Sequence, residues 1–202
     1  MVVEYFGIPG SGKTYKANQY KSQLKDTRIK YVDISRHSGM PLWLKVFYKL
    51  ADFTICIVPK YRELIREISA IDSRREPRFL MLSKDYCIKD IVLSIFLQDL
   101  FIRCKKEALN DEGILQRIAT FSVLYSVDIN ALLDSCKHNI TGVRHVFVDI
   151  SIEDAYRNIR FRNRHVCQMD EMSDDILMGY LEAFNLAFNA VQRWTSHNIG
   201  RK

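Results

Sequence analysis

Residues 7–14 read GIPGSGKT, and the spacing of Gly7, Gly12, Lys13 and Thr14 fits the phosphate-binding loop template G-x-x-x-x-G-K-[ST]. Three of the eight glycines in the 202-residue chain fall in this one stretch. Its flanks suit it. Val2 to Phe6 is short, apolar and rich in β-branched and aromatic side chains, as a buried strand requires, whereas Thr14 to Lys25 is polar and free of glycine and proline, as a helix allows. Strand, loop and helix in that order gather backbone N–H groups and a helix N-terminus into one concave anion site, made by Gly7, Pro9, Gly10, Ser11, Gly12, Lys13 and Thr14. Lys13 can then reach the outer phosphates of a nucleotide, and the Thr14 hydroxyl can bind Mg2+. The competing reading is a glycine-rich turn that merely caps a helix.

Composition limits what surrounds this loop. One domain over residues 1–202 accounts for the length, and 48% hydrophobic with 27% charged residues describes a globular chain rather than a disordered one. The net charge of +6 suits an anion site, but the basic residues are spread along the chain without a Lys/Arg tail, so nucleic acid is not indicated. No charged, apolar and cleavable leader precedes the first strand, and the most apolar run, Ile91 to Ile102, is interrupted by Gln98 and Asp99, so a cytoplasmic location and no membrane span are expected. Five cysteines at wide spacings, with no CxxC pair, support neither a disulfide framework nor a zinc site.

Along the chain the pattern alternates between strand and helix. Arg28 to Ile34 reads as a second strand. Residues 35–106 then form an unusually long region of helical character: one helix from Pro41 toward Leu50, another over Lys60 to Ile71, and a third capped by Ser83 or Asp85 and running to Arg103. Thr54 to Val58 is apolar and too short for its period to separate strand from helix. Ile88 to Phe101 is apolar and long enough to serve either as core or as the face of a homodimer.

Two acids, Asp111 and Glu112, then follow a thin apolar piece, Ala108-Leu109, and precede a helix. At the carboxyl end of a parallel strand such acids can hold Mg2+ or take a proton from an acceptor hydroxyl; as helix caps, Asn110 or Asp111 would have a purely structural use. A clearer strand, Arg144 to Ile150, ends at the N-cap Ser151, with Glu153 and Asp154 in the first turn of the next helix. Arg157, Arg160 and Arg164 share a face of that helix. They form either a solvated basic face or an arm that closes over a transferring phosphoryl group, and residues 157–172 read as a lid. The final helix, from Ser173 to about Ser196, places Leu177, Tyr180, Leu181, Phe184, Phe188 and Val191 at core spacing.

Taken in order, GIPGSGKT, the acidic DEG and the segment HVFVDISIEDAYRNIRFRNR make the chain resemble the P-loop nucleoside and nucleotide kinases, most of all their thymidylate-kinase-like branch. The resemblance implies an α/β, three-layer P-loop NTPase fold, with a parallel sheet of about five strands, helices on both faces, a helical lid, and residues 35–106 on the substrate side. It implies Mg-ATP as donor, Lys13 polarising the phosphates, Thr14 ligating Mg2+, Asp111 or Glu112 as base or metal anchor, and Arg160, Arg162 and Arg164 as lid arginines. The chain departs from the family's pattern in two places. Asp111-Glu112-Gly113 replaces the usual Asp-Arg pair, leaving Arg117 one turn on as a substitute, and Asn158 stands where many members have an arginine. The function expected is transfer of the γ-phosphoryl group of ATP to a small-molecule acceptor, with a P-loop ATPase or nucleotide-binding regulatory protein as the alternative.

Overall fold

The computed structural model describes residues 2–23, 31–33, 42–74, 76–80, 82–104, 107–110, 112–162 and 168–199. Its centre is β1 (Val2–Phe6), buried along its whole length. Because side chains alternate across a strand, Val3 and Tyr5 face one way and Val2, Glu4 and Phe6 the other. Val3 and Tyr5 meet Ala17 of α1 (Lys13–Gln23) and Val148 in a small apolar cluster. Val2 and Phe6 join the main core on the opposite face. The sheet is therefore sandwiched between helices, as the three-layer expectation requires.

Strand β2 (Tyr31–Asp33) opens the other half of the sheet. The region that follows is helical: α2 (Leu42–Ile57), α3 (Pro59–Ala70) and α4 (Lys84–Arg103). The ambiguous Thr54 to Val58 stretch is the end of α2, and Pro59 begins α3, where its missing N–H costs nothing. Ser83 caps α4, its hydroxyl accepting from the Tyr86 N–H. Ile88, Ile91, Val92 and Ile95 of α4 are all buried within the chain, so this helix is core. The exposed apolar stripe lies instead on α2, where Val46, Leu50, Phe53 and Ile57 recur at helical spacing.

Strand β3 (Glu107–Asn110) is followed by α5 (Ile114–Tyr125), α6 (Ile129–Ser135) and α7 (Lys137–Ile140). After β4 (Arg144–Phe147) come α8 (Ile152–Phe161), a 3-10 turn at Gln168–Glu171, and α9 (Asp174–Asn198). The strands run in the order β2-β3-β1-β4, every neighbouring pair parallel. Among the described residues the sheet has four strands, against the five or so implied by the resemblance. Phe6, Phe147 and Phe188 meet where the sheet packs on α9, with ring centroids 5.2 to 6.3 Å apart.

Candidate active site

The loop 7–14 leaves the carboxyl end of β1, where ligands bind in open parallel sheets. Ser11 N–H closes it on Ile8 O at 3.1 Å, and Lys16 N–H on Gly12 O begins the regular turns of α1. Gly10 and Gly12 stand at φ +83° and +81°, a conformation that side-chain-bearing residues rarely adopt. Gly10 is also confined by space: a Cβ there would lie 2.5 Å from the Ala155 carbonyl oxygen. The first turn of α1 carries no acid, so no carboxylate of the helix itself opposes an anion at its N-terminus. Ser11 Oγ is buried and without a hydrogen-bond partner among the described residues. Lys13 Nζ donates to Gly7 O at 2.9 Å and Ile8 O at 3.2 Å, folding back over its own loop. A cation at the rim, an orphaned hydroxyl and two left-handed glycines fit the phosphates of a nucleotide.

This loop forms one wall of a cavity of ≈ 760 Å³. Pro9, Gly10, Gly12, Lys13 and Thr14 line one end, and Glu112, Gln116 and Arg117 come from the start of α5. Thr14 and Glu112 thus share a cavity, a hydroxyl and a carboxylate of the kinds that serve a phosphate-bound magnesium ion or take an acceptor hydroxyl's proton. Among the described residues no three His, Cys, Asp or Glu side chains gather into a metal cage. Asp111 lies outside the described residues. The cap of α5 is neither Asn110 nor Asp111 but Gly113; Asn110 instead accepts from the Glu112 N–H at 3.0 Å and turns the chain toward the cavity.

The same cavity has an apolar lining from Leu80, Leu82, Met169, Tyr180 and Phe184, together with a charged pair. Arg117 Nη1 donates to Asp90 Oδ2, with both side chains largely buried. Burial alone would depress the Arg117 pKa, but Asp90, Glu112 and Tyr86 more than offset it and hold the guanidinium charged. Its Nε–H has no partner among the described residues.

The arginines divide. Arg157 is exposed and pairs with Asp154 at 3.2 Å. Arg160 donates to Asp174 Oδ1 at 2.7 Å and to Met172 O at 2.7 Å, with Asp170 O at 3.2 Å, so it ties the end of α8 to the 3-10 turn and the start of α9. Arg162 lines the cavity. Arg164 lies outside the described residues. Asn158, the departure noted in the sequence, donates to Gly10 O at 3.0 Å and moors α8 on the phosphate loop. Sequence reasoning did not find Asn158 in this role, nor Glu4, Asp90 and Gln116, whose partners all lie far away in the chain.

No family model matches the chain, and no curated protein sequence does. Solved structures match in fold. The deoxyadenosine kinase from M. mycoides with bound dATP superposes with a TM-score of 0.50 at 14% identity, covering 98% of this chain and 88% of that chain. Structures of that enzyme with bound dCTP, and with dCMP and a flexible dCDP, give 0.49 at 12% and 0.48 at 11% identity. They cover 98% of this chain and 87% and 86% of those chains. The first of these likenesses shows the fold: this chain and that deoxyadenosine kinase share one architecture.

Proposed function

We propose that the chain is a P-loop kinase that transfers the γ-phosphoryl group of Mg-ATP to a nucleoside, a nucleotide or a comparable small acceptor. The observation that carries this is the cavity itself. It brings a phosphate loop together with the apolar side chains of Leu80, Leu82, Met169, Tyr180 and Phe184 and the Arg117–Asp90 pair, giving donor and acceptor room in one space. A hydrolase or switch has no need of the apolar lining. The thymidylate-kinase-like placement rests on motif order alone, whereas one solved structure of similar fold is a deoxyadenosine kinase, so we favour a nucleoside as acceptor.

Bound Mg-ATP supplies the phosphoryl group and the metal's charge. Lys13, released from the Gly7 and Ile8 carbonyls, neutralises the outer phosphates. Thr14 would hold the metal, with Asp111 as its second anchor. Glu112, facing the cavity, takes the acceptor hydroxyl's proton. Residues 157–172 act as the lid, with Arg160 fastening it to α9 and Arg162 and Arg164 meeting the transferred group. Residues 35–106 form the acceptor side, and Asp90 with Arg117 offers an acceptor and a donor to the edge of a planar base. The setting we propose is the cytoplasm; among the described residues no helix is long and apolar enough to cross a membrane.

ADP release from Mg-ATP, measured with pooled nucleosides, nucleotides and sugars, tests the reading. Acceptor-dependent release is expected. Release that no acceptor changes, from protein that binds ATP, would replace the kinase with the ATPase or regulatory reading.

A further inference from the structure

Glu4 stands in the middle of β1 on the face turned to the main core, and it is only 1% exposed. A carboxylate so placed must be matched by donors. Its Oε1 accepts from the Leu115 N–H at 2.7 Å and from the Gln116 N–H at 3.4 Å, the open N–H groups at the start of α5. Gly113, the N-cap of that helix, has no side chain to offer and no space for one, because a Cβ there would lie 2.3 Å from Glu4 Cδ. The cap of α5 is thus supplied from β1, across 111 residues of sequence.

The other oxygen, Oε2, faces His145 Nδ1 on β4 at 3.4 Å, and neither atom has a hydrogen-bond partner elsewhere among the described residues. On its far side the imidazole places Nε2 at 2.9 Å from the Ile140 carbonyl oxygen. A carbonyl only accepts, so Nε2 carries a hydrogen. Nδ1 then meets a carboxyl oxygen, and the contact is repulsive unless a second proton lies between the two. From the capped end of α5 the contacts continue to the phosphate loop, because Gln116 Oε1 accepts from the Gly7 N–H at 3.4 Å. Glu112, Gln116 and Arg117, flanking the cap, all line the cavity.

We propose that Glu4 and His145 form a buried carboxylate–imidazolium positioning pair that fixes the start of α5, and with it Glu112 and Gln116, against the phosphate loop. Its effect on turnover rests on the kinase reading above; its protonation state does not. Neither side chain touches the substrate cavity. The charged groups around the pair are Arg144 beside it on β4, and Arg193 and His197 of α9, which share with His145 the groove along β4. Beyond α5 lies the Arg117–Asp90 pair, while Tyr5 of β1 faces the opposite side of the sheet. Burial pulls the His145 pKa down, but Glu4 and the Ile140 carbonyl push it further up, leaving it above the ordinary value.

Nitrogen-15 NMR of the histidine side chains, with the His145 signals identified by their loss in His145→Gln, tests the pair without any assay of turnover. The expected result is an imidazole protonated on both nitrogens at neutral pH in the native protein and on one in Glu4→Gln. Glutamine suits the second state, since its oxygen can cap α5 while its amide donates to a neutral Nδ1. In the kinase assay the native enzyme should lose kcat as pH rises through the His145 titration, with KM for ATP little changed, and Glu4→Gln should lack that step. A singly protonated His145 in the native protein at neutral pH overturns the proposal, as does a Glu4→Gln enzyme that keeps the same pH step. Absence of acceptor-dependent turnover beside a doubly protonated His145 would count against the kinase reading and leave the pair intact.

Discussion

At the scale of single residues, the phosphate loop makes the sharpest predictions. Lys13 Nζ donates to the Gly7 and Ile8 carbonyls of its own loop, so Lys13→Ala should lower kcat by about 10²- to 10³-fold, the usual loss for one transition-state donor, with a far smaller effect on the melting temperature. Gly10→Ala meets both a left-handed backbone and the Ala155 carbonyl; thermal unfolding should show it destabilised by about 1–3 kcal/mol. His145 ties stability to pH. Its pKa in the folded chain is raised above 6.5, so its stabilisation is complete below the unfolded-state value and is lost as pH rises through the folded value. Urea midpoints measured upward from pH 6 should fall in the native protein and stay flatter in Glu4→Gln. The motif that holds Lys13 was legible in the sequence because its requirements are local. Glu4 was not, because nothing about a glutamate in an apolar strand shows that Leu115, Gln116 and His145 will surround it.

At the scale of elements, β1, α8 and α9 could be read from alternation, caps and periodicity, since each has a local signature: Ser151 caps α8 by accepting from Asp154 N–H, and the apolar stripe of α9 is buried throughout. Strand β3 left only a thin sign, the apolar Ala108-Leu109 before the acids. Glu107, Ala108 and Leu109 favour helix, yet the segment lies between β2 and β1 and pairs with both, so its tertiary neighbours override propensity. The arginines of α8 were read as one face, but geometry separates them. Arg160 finds its acid on α9, fourteen residues on, where no helical spacing could reveal it. Arg160→Ala should therefore loosen the lid, raising KM more than it lowers kcat, and should cost little stability through this largely solvated pair. Arg162→Ala, at the cavity wall, should do the reverse and lower kcat. Steady-state kinetics on the two variants separate these roles.

At the scale of the whole molecule, the order β2-β3-β1-β4 brings the loop after β1 beside the turn after β3, which is why Thr14 and Glu112, almost a hundred residues apart, share one cavity. Two free cysteines, Cys87 and Cys136, are buried with thiol pKa values pushed up to about 11 and about 12, chiefly by burial, while Cys56 and Cys104 are exposed. Alkylation of the native protein at neutral pH should mark the exposed pair and spare the buried pair until unfolding. Transfer of label from γ-labelled ATP to pooled nucleosides, in the native protein and in Lys13→Ala, addresses the central claim most directly. Label in a nucleoside product, abolished in the variant, is the predicted result. Label released only as inorganic phosphate, or left on ATP that the native protein demonstrably binds, would contradict it.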